Sequence, residues 1–248
     1  MAQIRLHFYE SLNDFVEPAL RDIEIIHHFD RKASVKDVIE SFNIPHTEIE
    51  QILVNNNAVG FNYIVQQGDH IQVYPVSRNA VMSSATILRP ELPRPPLFVV
   101  DVNLGKLARY LRLLGFDCLY CNSYTDDTVA KIADEQWRIV LTRDCNLLQR
   151  RIITYGYFVR ASLPKIQIKE VLNRFDLYPM LKPLTRCSHC NGQLIETEKQ
   201  NVEHRLEPLT KQHFHRFLIC SECDQIYWHG SHCTRVQRLI EDFSRRGL

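Results

Sequence analysis

Leu97-Phe98-Val99-Val100-Asp101-Val102-Asn103-Leu104-Gly105-Lys106-Leu107-Ala108-Arg109-Tyr110-Leu111-Arg112-Leu113-Leu114-Gly115 is the stretch on which the fold turns. Its first four residues are continuously apolar, as in a short strand buried on both faces. Leu104, Leu107, Ala108, Leu111 and Leu114 then recur at helical spacing, and Gly115 suits the left-handed residue that ends a helix. A buried strand followed at once by an amphipathic helix is the repeating unit of a parallel sheet. The alternation continues downstream. Asp117 to Cys121 reads as a second strand and Val129, Ile132 and Ala133 as a second helix. Ile139-Val140-Leu141 is a third strand, Tyr157-Phe158-Val159 a fourth, and Ile166 to Phe175 a last helix. The expected class is α/β, with a parallel-sheet core over residues 97–180.

Residues 1–76 read differently. Ile4-Arg5-Leu6-His7-Phe8 and Asp22-Ile23-Glu24-Ile25 alternate apolar and polar, as half-buried strands do. Ser34 opens a helix carrying Val35, Val38, Ile39 and Phe42, with Asp37 in the capping position and Pro45 as its stop. Ile52-Leu53-Val54 and Ile71-Gln72-Val73-Tyr74 are two further strands, and Gln67-Gly68-Asp69 is a turn. Two strands, a helix and two strands resemble a ubiquitin-like β-grasp, of the branch that includes sulfur carriers. Residues 77–96 form a linker, stiffened by Pro90, Pro93, Pro95 and Pro96.

Cys187-Ser-His-Cys190 and Cys220-Ser-Glu-Cys223 lie near the C-terminus. Two residues between thiols let one turn aim both sulfurs at one ion, and two such turns make a tetrahedral site suited to zinc. Residues 181–248 are therefore expected to form a zinc ribbon, with a closing helix from Val236 to Phe243. A closed four-thiolate site leaves no position for substrate, so any chemistry lies elsewhere. Cys118 and Cys121 share the spacing but fall in a strand, where positions three apart face opposite sides.

Ligands of open parallel sheets bind beyond the carboxyl ends of the strands. Asp101 follows the first strand, Asp144 follows the third, and Asp126 and Asp127 open the second helix. Each alone suits a helix cap; together at one rim they repel unless a cation neutralises them. Mg²⁺ or Mn²⁺ fits this oxygen set, with Asp101, Asp127 and Asp144 as ligands and Asp126 as the alternative to Asp127. Lys106, Arg109 and Arg143 flank the rim as phosphate contacts. Arg112, Arg150 and Arg151 suit either phosphate or a solvated face. His232 and Trp228, after the second knuckle, suit RNA contact by hydrogen bonding and stacking, or packing of the ribbon.

The 30 Lys and Arg against 29 Asp and Glu leave a formal charge of +1, unevenly spread. Residues 1–96 hold 8 basic against 12 acidic residues, and residues 97–186 hold 14 against 9, so the middle of the chain suits a polyanionic partner. No apolar run approaches the roughly 18 residues of a membrane helix, and Met1-Ala2-Gln3-Ile4-Arg5 lacks a signal-peptide core. The expected location is cytoplasmic, where the 8 cysteines stay reduced and favour metal over disulfides.

Taken in order, Phe98 to Asp117, Asp126-Asp127, Leu141-Thr142-Arg143-Asp144, Arg186-Cys187-Ser-His-Cys190-Asn191, Cys220-Ser-Glu-Cys223 and Tyr227-Trp228-His-Gly230-Ser231-His232 resemble the Mut-seven C-terminal RNase domain family. That resemblance covers residues 97 to about 243. It implies a PIN-like nuclease core with an appended zinc ribbon, often behind a ubiquitin-like domain, and metal-dependent cleavage of RNA at Asp101, Asp127 or Asp126, and Asp144. PIN nucleases often carry a fourth acid after the last core strand, whereas Val159-Arg160-Ala161-Ser162 offers none. Two other readings compete. A non-catalytic RNA-binding zinc protein would use the aspartates only as caps. A sulfur carrier would need a terminal Gly-Gly, absent from Tyr74-Pro75-Val76-Ser77-Arg78-Asn79. The β-grasp domain is instead expected to recruit a protein partner or help bind RNA. A dehydrogenase is excluded by the single glycine of Asp101-Val-Asn-Leu-Gly105.

Overall fold

The computed structural model describes residues 2–76, 88, 90–92 and 94–228. The N-terminal stretch holds β1 (Ala2–Phe8), β2 (Ile25–Phe29), α1 (Val35–Glu40), β3 (Ile49–Val54), β4 (Asn57–Ala58) and β5 (His70–Pro75). Next come β6 (Phe98–Val100), α2 (Gly105–Leu113), β7 (Cys118–Leu119), α3 (Asp126–Gln136) and β8 (Ile139–Thr142). Then follow α4 (Cys145–Leu148), β9 (Gly156–Phe158) and α5 (Pro164–Arg174). The last described region holds β10 (Leu194–Thr197), α6 (Lys199–Val202), α7 (Pro208–His213), β11 (Phe217–Cys220) and β12 (Ile226–Trp228). The chain forms two compact units, Met1–Leu92 with Asp126–Phe158, and Pro93–Thr125 with Val159–Leu248. The expected helix at Val236–Phe243 lies outside the described residues.

In the first unit a sheet of order β2-β1-β5-β3-β4 forms the β-grasp. β1 and β5 run parallel, and the other neighbours run antiparallel. Ile4, Leu6 and Phe8 alternate inward and are fully buried with Val35, Val38 and Ile39 of α1. Each such side chain contributes about 1.5–3 kcal/mol. The Ser34 hydroxyl accepts from Asp37 N at 3.1 Å, and Asp37 Oδ2 accepts from Ser34 N at 3.3 Å. This reciprocal capping box fixes where α1 begins. Two boundaries depart from expectation. The second strand starts at Ile25 rather than Asp22, because Asn13 grips Asp22 through two 2.9 Å bonds in a turn with φ 55°. α1 stops at Glu40, well before Pro45, because Asn43 turns left-handed at φ 63°. Pro45 instead leads into a single 3₁₀ turn, His46–Glu48.

That turn is buried, and it is where the β-grasp meets the rest of its unit. β8 and β9 pair in parallel, Val140 opposite Gly156. Glu48 Oε1 accepts the Phe158 N–H at 2.7 Å. The His46 ring spans Glu40 Oε1 at 2.7 Å and the Ile153 carbonyl at 2.9 Å. Phe15 meets Phe158 edge-on at 5.2 Å. Gly156 is required by close approach, since a Cβ there would lie 2.5 Å from Leu148 Cδ2 and 3.3 Å from Thr47 Cγ2.

In the second unit β6 and β7 pair in parallel, Phe98 opposite Cys118. α2 buries Leu107, Ala108 and Leu111 and exposes Lys106 and Arg109. It ends at Gly115, φ 95°, where a Cβ would lie 2.2 Å from the Lys182 carbonyl. Lys182 N and Leu184 N donate to the carbonyls of Leu114 and Leu113 at 3.0 and 3.1 Å, so the segment that leads into the ribbon satisfies the helix end. β7 is shorter than the Asp117–Cys121 strand expected. The Tyr120 carbonyl is taken by Arg112 Nη2 at 3.4 Å, and the Tyr120 hydroxyl turns to Val102 O at 3.1 Å. The ribbon is an antiparallel sheet, β10-β11-β12, over a small core of Val202, Phe217 and Ile226.

Candidate functional site

The four expected zinc ligands converge. The sulfurs of Cys187, Cys190, Cys220 and Cys223 lie within 4.8 Å of one another. Cys187 to Cys223 is 3.6 Å and Cys190 to Cys220 is 3.3 Å. Tetrahedral zinc–sulfur bonds of about 2.3 Å place sulfurs about 3.8 Å apart, so the set fits zinc with slight expansion. The two knuckles are built alike. Asn191 and Asp224, each next after a second cysteine, are left-handed at φ 76° and 56°. Gly192 N and Glu222 N each approach a sulfur, Cys190 and Cys220 respectively, at 3.4 Å. Gly192 cannot carry a side chain, because its Cβ would lie 2.9 Å from the Cys220 sulfur and 2.5 Å from Glu222 Cγ. Four neighbouring sulfurs cannot all be thiolates without a cation. Burial pushes the Cys190 thiol up to about 12 and raises Cys223 as well. Burial also opposes ionisation of Cys187, but the Tyr227 hydroxyl at 3.1 Å and nearby backbone N–H groups outweigh it and bring this thiol down to about 7.

The aspartates divide between the units. In the second unit Asp101 is buried directly after β6, at the head of a 3₁₀ turn its side chain does not cap. In the first unit Asp126 and Asp127 both lie in the first turn of α3. Asp144 caps α4, its Oδ1 accepting from Asn146 N at 2.8 Å. Asp127 pairs with Arg150. Arg150 is raised above the usual guanidinium value, first by its bond to Asp127 and further by the charges of Asp127, Asp126 and Asp144, against some desolvation. Asp127 is thus bonded to this guanidinium, and Asp126 and Asp144 act on it through charge alone. Arg143 is exposed beside Asp144. Lys106 and Arg109 of the second unit line one cavity of about 990 Å³. His232 lies outside the described residues.

Residues 96–240 match the Mut7-C RNAse domain, and residues 1–81 match the Mut7-C ubiquitin domain. The chain belongs to the Mut7-C RNAse domain family. No curated protein matches it. One similar solved structure is a protein described as molybdopterin converting factor, subunit 1, from Pyrococcus furiosus. It is 18% identical, with a match covering 30% of this chain and 98% of that one at a TM-score of 0.25.

Several polar residues of this Mut7-C chain carry structure that spacing did not reveal. Arg112 is neither a phosphate contact nor a solvated face. It is buried, and it donates to the carbonyls of Cys118 at 2.8 Å and His189 at 2.6 Å. Asn191 accepts the Cys118 N–H at 3.0 Å and donates to Asp117 at 3.0 Å. Asp117 in turn pairs with Arg186 at 3.0 Å. A carboxylate also stands after Val159, supplied by α5. The two oxygens of Glu170 accept the N–H groups of Arg160 and Ala161 at 2.7 and 2.9 Å. The only signal for Glu170 was its place on a predicted helix, which says nothing of what it reaches. Trp228 packs at the ribbon core, tilted 47° to Phe214 at 6.4 Å. Cys118 is buried in β7, and Cys121 is exposed beyond the end of that strand rather than within it.

Proposed function

We propose that this Mut7-C chain is a metal-dependent ribonuclease that hydrolyses RNA phosphodiester bonds, with zinc as a structural ion. The observation that carries this reading is the set of carboxylates that act on Arg150. Asp127 pairs with Arg150, the charges of Asp126 and Asp144 act on the same guanidinium, and a divalent cation is a natural complement of carboxylates so placed. Asp101, Asp127 (or Asp126) and Asp144 would hold Mg²⁺ or Mn²⁺, whose preference for carboxylate oxygen matches this set. When bound, the ion would acidify a water and offset charge on the leaving oxygen. The chain's own residues position the polymer. Lys106, Arg109 and Arg143 are exposed cations for phosphates.

The domains proposed are a β-grasp over 1–76, a linker over 77–96, a nuclease core over 97–180 and a ribbon over 181–248. The reduced thiols of the knuckles suit the cytoplasm, and among the described residues no helix is long and apolar enough to cross a membrane. The β-grasp domain offers a surface for a protein partner.

Asp101→Asn combined with Asp144→Asn should abolish Mg²⁺- or Mn²⁺-dependent RNA cleavage while zinc content and circular dichroism stay unchanged. Undiminished cleavage by the purified double variant would end this reading. A second reading, a non-catalytic RNA-binding zinc protein, draws support from Asp144 serving as a helix cap and Asp127 as an ion-pair partner. It prevails if zinc-loaded protein binds no further divalent ion at millimolar Mg²⁺ or Mn²⁺.

A further inference from the structure

The cavity lined by Lys106 and Arg109 is walled on every side by the second unit. α2 supplies the two cations, the loop after β7 supplies Tyr120 and Asn122, the start of α5 supplies Leu163, and the first zinc knuckle supplies His189. Among the described residues no carboxylate lines it. A second cavity, of about 300 Å³, shares Arg109, Ser188 and His189 with the first and is walled by Ile226, Tyr227 and Trp228. We propose that the two cavities form one track for single-stranded RNA, with phosphates held by Lys106 and Arg109 and bases lodged against Tyr120, Leu163 and Trp228.

Three features carry the assignment. The charge is of one sign: cations with no acid among them attract an anionic ligand and reject a neutral or cationic one. The surfaces are mixed, with Leu163 63% exposed beside the cations. Aromatic and apolar faces interleaved with cations suit a strand whose bases are unstacked. The shape then chooses between single strand and duplex. A duplex keeps its bases stacked inside and offers only its backbone and grooves, so it cannot fill a concave site of about 990 Å³. Single-stranded nucleotides can, since pockets of about 300–1,000 Å³ hold groups of that size.

The ribbon acquires a task in this arrangement. Arg112, buried beneath it, donates to the His189 carbonyl at 2.6 Å and the Ser188 carbonyl at 3.4 Å. The knuckle backbone is therefore fixed from below by Arg112 and from above by its cysteines, while the His189 side chain stays exposed at the junction of the two cavities. His189 is a positioning residue for the strand, and zinc acts on RNA only through it. On the other side, Gly105 admits Tyr120: a Cβ at Gly105 would lie 2.4 Å from the Tyr120 hydroxyl.

The identity of the polymer rests on the ribonuclease reading, but the track does not need the aspartates. Binding is therefore measured on the zinc-loaded full chain carrying Asp101→Asn and Asp144→Asn, without Mg²⁺ or Mn²⁺, by anisotropy of a labelled uridine decamer. Loss of grip is then read separately from loss of cleavage. Lys106→Glu and Arg109→Ala should each weaken binding about tenfold and lower the salt slope by about one. His189→Ala should weaken it about fivefold with zinc content unchanged. In a Trp137→Phe background the decamer should quench the emission of Trp228. A duplex of equal length should bind at least about tenfold more weakly than the single strand. Parent-like affinity in all three substituted chains, an unchanged Trp228 emission at saturation, or duplex affinity equal to that of the single strand would each overturn the proposal.

Discussion

In one compact unit a β-grasp sheet is joined to β8 and β9 through a buried carboxylate, Glu48, which takes the Phe158 N–H. In the other a four-cysteine ribbon is joined to β6 and β7 through a buried amide, Asn191, which takes the Cys118 N–H. Both joints do the same physical work: a side chain from a small accessory module satisfies a strand N–H that would otherwise be stranded away from water. The joints differ in what holds the module itself. The β-grasp rests on its own apolar core, including Ile4, Leu6, Phe8, Ile39, Ile52 and Ile71, all at most 1% exposed. Among the described residues the ribbon's apolar core is Val202, Phe217 and Ile226, a small one, so its joint is expected to depend on a metal at the four cysteines.

Zinc removal should therefore have the largest effect, and on one unit alone. After treatment with a strong chelator, hydrogen exchange should accelerate in β10, β11 and β12 and at the Cys118 amide, while β1 and β5 keep their protection. Persistent protection of Cys118 without zinc would break the comparison, because Asn191 would then be held by packing. The pH dependence has a definite sign. Cys190 and Cys223 are raised and hence protonated in the metal-free ribbon. Zinc binding must release those protons, so affinity rises with pH and acidification frees the ion. A chromophoric zinc indicator followed through falling pH should show this release before the β-grasp unfolds.

Next in size come the two joints. Glu48→Ala leaves the Phe158 N–H without its acceptor in a site where Glu48 is 3% exposed, which costs about 1–3 kcal/mol in urea unfolding. Glu48→Gln retains an acceptor oxygen and should cost less. Asn191→Gly is the sharper probe in the other unit. It deletes both side-chain bonds but tolerates the φ of 76°, so its cost of about 1–2 kcal/mol belongs to the joint rather than to backbone strain. Asn191→Ala adds that strain and should be worse. Equal losses from the Gly and Ala substitutions would show that the backbone conformation is not limiting. A larger loss from Glu48→Gln than from Glu48→Ala would remove the buried N–H from the account.

Periodicity and spacing made much of this legible. The apolar run of β6, the leucines of α2, the alternation of β1 and the paired cysteines each mark their own environment, because burial and metal geometry impose local patterns. Polar residues that act at long range left no such pattern. Arg112 falls on the face opposite its leucines and suited either phosphate or solvent, yet it is 3% exposed under a ribbon that begins some seventy residues later, where it donates to Ser188 and His189. Glu48 and Asn191 likewise satisfy backbone groups far along the chain, and Glu170 satisfies groups ten and nine residues back through a turn no periodicity marks. The aspartates stand between these cases. Their positions at strand ends and helix starts were readable, but Asp144 does cap a helix, so position alone does not separate a ligand from a cap.

Arg150→Ala addresses that last point with the smallest effect on stability. The Arg150–Asp127 pair is exposed, with Asp127 87% accessible, and water screens such pairs, so the melting temperature should not move. The electrostatics around the carboxylates should move. Asp127 would lose its partner, and Asp126 and Asp144 a nearby positive charge, and at low salt a divalent ion should gain about fivefold in affinity, read by Mn²⁺ titration. The gain should shrink as salt is added, because the removed repulsion is long-ranged and screened. An affinity for Mn²⁺ indifferent to Arg150 would mean that these carboxylates answer only to the starts of α3 and α4. In that case the first unit, for all its packing, would contribute structure and no metal site to the protein.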